Sequence, residues 1–157
     1  AQHIAEQITR FPFALLIAIF FFIFNPESLW IPSLLTIIIS LLCTFFSFLI
    51  QFLIQSIIAS FCFWTEKASS IEKLLFIPTL FLSGLLAPVS SFPNYVKSWI
   101  YLTPFPYLID FPANILSGNQ ANIIQGILIQ LLWIILFFSI FKKVWKSGTK
   151  KFTAMGL

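Results

Sequence analysis

Few residues of this 157-residue sequence have the chemistry of a catalytic or metal-binding site. His3, the single histidine, precedes Glu6 by three positions, which places both side chains on one face of a helix. A zinc site needs more ligands than this pair. No serine, histidine and carboxylate set indicates a hydrolase, and Ser147-Gly148-Thr149-Lys150 lacks the first glycine and the spacing of a phosphate-binding P-loop. We therefore expect no catalytic, cofactor-binding or metal-binding residues, and any ATP must bind to a different chain.

The composition is that of a membrane protein. Hydrophobic residues make up 59% of the chain and charged residues 9%, whereas about 25% of the residues of soluble domains are charged. This composition excludes a soluble globular enzyme. The net charge of +4 does not indicate nucleic-acid binding, because the cations flank apolar stretches instead of lining an exposed face. Lysines in such positions indicate contact with membrane lipids.

Four apolar stretches predict membrane-spanning helices. They lie at about 5–24, 32–63, 71–86 and 122–141. The third contains Pro78 and Gly84, which spanning helices tolerate when neighbouring groups satisfy the backbone. We expect an all-α integral membrane protein, formed by a single transmembrane domain over residues 1–157 with a cytoplasmic tail at 142–157.

The second span carries polar side chains three or four residues apart, which places them on one stripe of the helix. They are Ser40, Thr44, Ser47, Gln51, Gln55 and Ser56. In a bilayer such side chains join helices more often than they line a substrate path. Gln51 and Gln55 are the candidates for a helix interface.

Residues 88–118 are rich in proline and form neither a clean span nor a polar loop. A short helix is predicted from Pro93 through Leu102 and a second from Tyr107 to Leu116, with a break at Thr103-Pro104-Phe105-Pro106. Neither short helix can cross about 30 Å of hydrocarbon. We therefore predict a re-entrant hairpin that enters the membrane and returns to the same side.

The distribution of cations predicts the orientation. With a cytoplasmic N-terminus and four spans, eight of the nine cations are cytoplasmic: Arg10, Lys67, Lys73, Lys142, Lys143, Lys146, Lys150 and Lys151. Only Lys97, in the hairpin, is external. A fifth crossing would place the C-terminal lysines outside, so both ends are expected to be cytoplasmic and the hairpin external.

From about residue 60 onward the pattern resembles the permease subunits of type-two ATP-binding-cassette exporters, in their uncharacterised bacterial branch. The resemblance rests on these residues: Ile77-Pro78, Leu82-Ser83-Gly84, Pro88, Phe92-Pro93, Leu102-Thr103-Pro104-Phe105-Pro106-Tyr107, Ser117-Gly118, Trp145, Gly148, Phe152, Ala154 and Gly156. Family members have six spans with an external re-entrant hairpin between the fifth and sixth. The resemblance implies that this chain is the C-terminal part of a longer permease, beginning before its third span.

The same resemblance implies a transport function in the bacterial cytoplasmic membrane. Two permease subunits, as a homodimer or heterodimer, would form the export path, and a separate ATPase subunit would hydrolyse ATP. Residues 1–10 would be a remnant of the ATPase-contacting helix, which makes His3, Glu6 and Arg10 the contact candidates. The hairpin would be an external gate with Pro104, Pro106 and Asp110 as its candidate residues. The alternative is a membrane scaffold or anchor that transports nothing, and the sequence does not identify a cargo.

Overall fold

The computed structural model describes residues 32–65, 68–118 and 122–154, together with six positions nearer the N-terminus. The chain divides into two compact units, Ala1–Ile31 and Pro32–Leu157. In the first unit the described positions are helical and exposed: Pro12, Leu16, Ile19, Phe20, Ile23 and Phe24. They fall within the predicted span 5–24, and the other residues of that span lie outside the described residues.

The first helix of the second unit, α1, comprises Leu34–Ser60 and continues as a 3₁₀ turn over Phe61–Phe63. The hydroxyl of Ser33 caps its N-terminus by accepting a hydrogen bond from the backbone N–H of Thr36 at 3.2 Å. No glycine or proline interrupts the following apolar stretch, so nothing ends the helix early. This agrees with the prediction of one long helix over 32–63.

Helix α2 comprises Ala68–Leu82 and contains Pro78, as expected. It ends before the predicted boundary at residue 86, because Gly84 has a φ of +88° and leaves the helical conformation. The prediction that the helix continues through Gly84 is wrong. At 15 residues the helix rises only about 22 Å. The helices long and apolar enough to cross a membrane by themselves, among the described residues, are Leu34–Phe63 and Ile123–Lys151.

Both short helices of the hairpin, residues 88–118, are present. Helix α3 comprises Asn94–Ile100 after Pro93, and α4 comprises Asp110–Leu116. A 3₁₀ turn over Phe105–Tyr107 occupies the break between them. The clustered prolines explain this break, since each removes a backbone donor and fixes φ near −65°.

The last helix, α5, comprises Ile123–Ala154 and is therefore longer than the predicted span at 122–141. Lysine is a good helix former, so the helix continues through the lysines after the apolar stretch has ended. Lys142 lies over the ring of Phe138, with its Nζ 4.9 Å from the ring centroid. The apolar segment of α5 and the lysine-rich segment that follows it are thus parts of one continuous helix.

Helices α1 and α5 run side by side in the same direction. Near the middle of each helix, Gln130 of α5 contacts Ser47 of α1. Further towards the C-terminal ends of both helices, Trp145 of α5 packs against Phe63 of the turn that continues α1, with ring centroids 5.5 Å apart. Gly148 makes the second contact possible, because a Cβ there would lie 2.3 Å from the Phe63 ring. The second contact follows the first in the same direction along α1 and along α5, so the two helices are parallel.

Helix α2 runs the opposite way. It is the next described helix after α1, and the carbonyl oxygen of Ser83, just beyond its end, accepts a hydrogen bond from the backbone N–H of Asp110 at 2.9 Å. Two residues after Asp110, the carbonyl oxygen of Pro112 contacts Ser40 near the beginning of α1. The chain has therefore returned to the starting end of α1 before the hairpin begins, and α5 starts from that same end.

The outer faces of the long helices are apolar. Leu34 is 74% exposed, Ile124 78% and Ile135 67%. Contiguous apolar surface of this kind is unusual on a soluble protein. It is the surface expected of helices that contact lipid tails or further membrane helices.

Candidate functional site

A buried amide joins the hairpin to both long helices. Gln130 of α5 has no exposed surface, and its Nε2 lies 3.1 Å from the carbonyl oxygen of Cys43 and 3.0 Å from that of Tyr107. The Ser47 hydroxyl lies between them, 2.9 Å from the Cys43 oxygen and 2.6 Å from the Tyr107 oxygen. We call these four residues the Gln130 node. It connects α1, α5 and the break of the hairpin.

The orientation of the Gln130 side chain follows from its neighbours. Two carbonyl oxygens require donors, so the NH₂ group must face them. This leaves Oε1 buried without a hydrogen-bond partner among the described residues. An unpaired buried acceptor costs about 1–3 kcal/mol, so the node holds the hairpin against an opposing penalty.

A second contact fixes the returning arm of the hairpin. Ser40, which is 6% exposed, donates its hydroxyl hydrogen to the carbonyl oxygen of Pro112 in α4 at 3.1 Å. Ser40 and Ser47 are two turns apart on α1, about 10 Å. The hairpin therefore follows α1 lengthwise, and its break at Tyr107 lies farther from the starting end than Pro112 does.

Asp110 joins the beginning of the hairpin to its end. Its Oδ1 accepts from the backbone N–H of Val89 at 3.0 Å, and its Oδ2 accepts from Nδ2 of Asn114 at 2.8 Å. Gly84 permits this approach, because a Cβ there would lie 2.8 Å from the Cβ of Asp110. Its positive φ also disfavours any other residue. The neighbouring Ser83 hydroxyl is buried without a hydrogen-bond partner in the described part of the chain.

Glycine also allows the hairpin to approach α5. A Cβ on Gly126 would lie 2.1 Å from ring atoms of Phe111, so the phenyl ring occupies the space that a side chain would fill. The Phe111 ring also packs against Tyr107 at a centroid distance of 5.7 Å. The returning arm is thus seated on α5 at Gly126 and held at Gln130, one turn further along.

A cleft of about 470 Å³ opens between the hairpin and the first turns of α5. Its polar lining residues are Ser98, Tyr101, Tyr107, Asp110, Asn114, Asn122 and Gln125. Leu102, Phe111 and Ile129 supply apolar wall. The cleft combines one buried carboxylate with several amide and hydroxyl groups.

A smaller cavity of about 240 Å³ lies between α1, α2 and the break. Gln51 and Gln55 line it together with Glu72, Pro104 and Phe105. Gln51 is half-buried and Gln55 is exposed, and neither makes a hydrogen bond within the described residues. Their role in joining helices stays a prediction.

The predicted site residues are thus partly brought together. Pro104, Pro106 and Asp110 are all buried within the hairpin. Gln51 and Gln55 share the small cavity with Pro104. The three ATPase-contact candidates, His3, Glu6 and Arg10, lie outside the described residues.

Sequence reasoning missed Gln130 as a site residue. An amide in the middle of an apolar stretch that is long enough to span a membrane is unusual, and this signal could have identified it. The residues of the α1 stripe that donate hydrogen bonds to the hairpin are Ser40 and Ser47. No pattern in the sequence reveals which turn of α1 faces which turn of α5.

Comparison with known families agrees with this architecture. A family model described as "ABC-2 family transporter protein" matches residues 3–156, which extends the resemblance seen from residue 60 to nearly the whole chain. Neither the curated proteins nor the solved structures give a match. The described residues contain helices and no strands, and two of the helices are long and apolar enough to cross a membrane, which is consistent with a membrane-embedded protein. The chain therefore belongs to the ABC-2 family of transporter proteins and is an ABC-2 type permease.

Proposed function

We propose that this chain is the permease subunit of an ATP-binding-cassette exporter in the bacterial cytoplasmic membrane. Family membership over residues 3–156 supports this function. Two such subunits, identical or different, form the export path, and a separate ATPase subunit binds and hydrolyses ATP. The chain itself binds no cofactor and carries out no covalent chemistry.

The parallel arrangement of α1 and α5 is the observation that carries the topology. Two parallel spans need an odd number of crossings between them. Helix α2 is too short to cross by itself, and we propose that it completes one crossing together with the residues that follow it. The hairpin then begins and ends on the same side. With a first span before α1 this gives four crossings, both chain ends in the cytoplasm and the hairpin outside, in agreement with the positive-inside rule.

The depth of the break supports a gate. Tyr107 contacts Ser47, which is about 20 Å along α1 from Leu34. Such a depth is comparable to half the thickness of a bilayer core, about 15 Å. A hairpin that reaches this far can cover the external end of a path between two subunits. Movement of its break would exchange the hydrogen bonds of the Gln130 node for contacts with cargo or water.

The prolines at the break give the gate its shape. Pro104 and Pro106 are buried on either side of Phe105, and both lack the backbone donor that a continuous helix would need.

Near the N-terminus of the chain, His3, Glu6 and Arg10 are proposed to contact the ATPase subunit in the cytoplasm.

The experiment uses Pro104→Ala combined with Pro106→Ala in the assembled transporter. The matched control is Pro93→Ala, which is exposed and precedes α3 outside the break. Cysteines introduced at Trp99 and Ile109 report hairpin movement through an impermeant thiol reagent. We expect labelling of the parent protein to change on addition of ATP, the double variant to lose that change, and the control to retain it.

The partner requirement is tested at the same time. A P-loop ATPase subunit should copurify with the chain, and all three forms should insert into the membrane because their hydrophobicity is unchanged. Absence of any ATPase, with labelling unaffected by ATP, would instead indicate the scaffold function.

A further inference from the structure

The cleft between the hairpin and α5 contains an unusual carboxylate. Asp110 is 6% exposed and lines a cleft of about 470 Å³. No cation pairs with it in the part of the chain that the structure describes. Burial of a carboxylate is unfavourable unless a cation or sufficient hydrogen bonds compensate it. In a membrane protein, a buried ionisable residue of this kind is a candidate for a functional site.

The hydrogen bonds of Asp110 leave it with acceptor capacity. It accepts one from the backbone N–H of Val89 and one from the side chain of Asn114. An ionised carboxylate offers about four lone-pair sites, so about two remain. Because the side chain lines the cleft, a ligand in the cleft can reach those sites.

The other polar groups of the cleft favour a donor of several hydrogen bonds. Asn114, Asn122 and Gln125 each carry an amide oxygen that can accept. Tyr101 lies beside them with an aromatic ring, which attracts a cation. An anion would be repelled by Asp110, and a neutral ligand would leave its charge uncompensated.

We propose that this cleft binds a protonated primary amine, with its charge on the Asp110 carboxylate and its N–H groups directed to that carboxylate and the neighbouring amide oxygens. A primary ammonium has three N–H donors, whereas a quaternary ammonium has none. The amine can belong to a soluble molecule outside the cell or to the headgroup of a phosphatidylethanolamine lipid. The site does not depend on whether the hairpin acts as a gate.

The test is binding to the purified full-length chain in detergent, without ATPase subunit or transport. The probes are dihexanoyl-phosphatidylethanolamine and dihexanoyl-phosphatidylcholine, which differ only in the three methyl groups on nitrogen. We expect calorimetric titration to give at least tenfold tighter binding of the primary amine. Asp110→Asn should remove that preference, and Glu72→Gln, which changes an exposed carboxylate outside the cleft, should keep it.

Free ethanolamine distinguishes the two sources of the amine. Competition with the short-chain lipid at millimolar concentration would support binding of soluble amines, and lack of competition would support a lipid headgroup. Equal affinity for the two lipids, or a preference that persists in Asp110→Asn, would overturn the proposal.

A second variant covers the case in which Asp110→Asn fails to fold, since Asp110 also fastens the hairpin. Tyr101→Leu changes a side chain that is 39% exposed, and Tyr107 bonds only to the backbone oxygen at that position. The amine should bind several-fold more weakly to Tyr101→Leu. Unchanged binding by a folded Tyr101→Leu would count against the site.

Discussion

Substitution of Gln130 by leucine removes the side chain that joins α1, α5 and the hairpin while keeping a similar volume. In the parent protein its amide donates to the carbonyl oxygens of Cys43 and Tyr107. After substitution the Ser47 hydroxyl lies within reach of both oxygens, but its one hydrogen can serve only one at a time. The carbonyl oxygen of Tyr107, at the break of the hairpin, therefore shares the single Ser47 hydrogen with the Cys43 oxygen and is hydrogen-bonded to it only part of the time.

The expected magnitude follows from this count. Interhelical hydrogen bonds in membrane proteins contribute about 0.6 kcal/mol on average and up to about 1.7 kcal/mol, so two lost bonds weaken the node by about 1–2 kcal/mol. Leucine also removes the unpartnered Oε1 of Gln130, whose burial costs about 1–3 kcal/mol, so the loss in the free energy of global unfolding is partly or wholly offset. Opening of the break separates Gln130 only from the Tyr107 oxygen. We expect the loss of that one bond, about 0.5–1 kcal/mol, to give about a two- to fivefold increase in local opening of the break.

Hydrogen exchange of the backbone amides in residues 103–109 measures that opening. The purified chain in detergent is compared with Gln130→Leu and with Gln125→Leu. The second variant makes the same substitution on the same helix, at an exposed side chain that donates no hydrogen bond to the described hairpin. Faster exchange is expected only for Gln130→Leu. Equal exchange rates in the two variants would refute the reasoning that the node anchors the break.

Three further substitutions test other contacts. Gly126→Ala should displace the Phe111 ring and lower the free energy of unfolding by about 1–3 kcal/mol in denaturant titrations, and the double variant with Phe111→Ala should lose less than the sum of the two single losses, whereas strictly additive losses would show that the ring and Gly126 do not interact. Gly84→Ala should lower the thermal midpoint, because its φ of +88° costs about 1 kcal/mol or more with a side chain; an unchanged midpoint would show that the turn can rearrange. Gln51→Leu with Gln55→Leu should weaken association between helices or subunits by on the order of 1 kcal/mol, measured by crosslinking, and unchanged assembly would indicate a stripe that faces lipid or an open cavity.

Much of the helical architecture could be predicted, because strong local signals determine it. The absence of glycine and proline after Pro32 predicts one long α1. Pro93 and the Pro104-Phe105-Pro106 break predict two short helices in the hairpin. The end of α2 could not be predicted, since an apolar stretch containing Gly84 is compatible with a continuous spanning helix. The helix ends where Gly84 takes a φ of +88° and Asp110 approaches it closely, a contact between residues distant in sequence.

The site was less predictable than the helices for the same reason. Spacing identified a polar stripe on α1, and that stripe does carry the serines that hold the hairpin. Spacing could not show that Ser47, rather than Gln51, lies opposite Gln130. Such a match depends on how far one helix is shifted along its neighbour. The contact of Phe63, in the turn that continues α1, with Gly148 of α5 matches this shift and exists only in the assembled structure.

The most direct test of the architecture is a map of the two ends of the hairpin in intact cells. Single cysteines at Ser90, Asn119 and Leu157, in a chain whose native Cys43 and Cys62 are replaced, are treated with a membrane-impermeant thiol reagent. We predict labelling from outside at Ser90 and Asn119, and labelling at Leu157 only after the membrane is permeabilised. Labelling of Ser90 and Asn119 from opposite sides would mean that the hairpin crosses the membrane and would contradict the account.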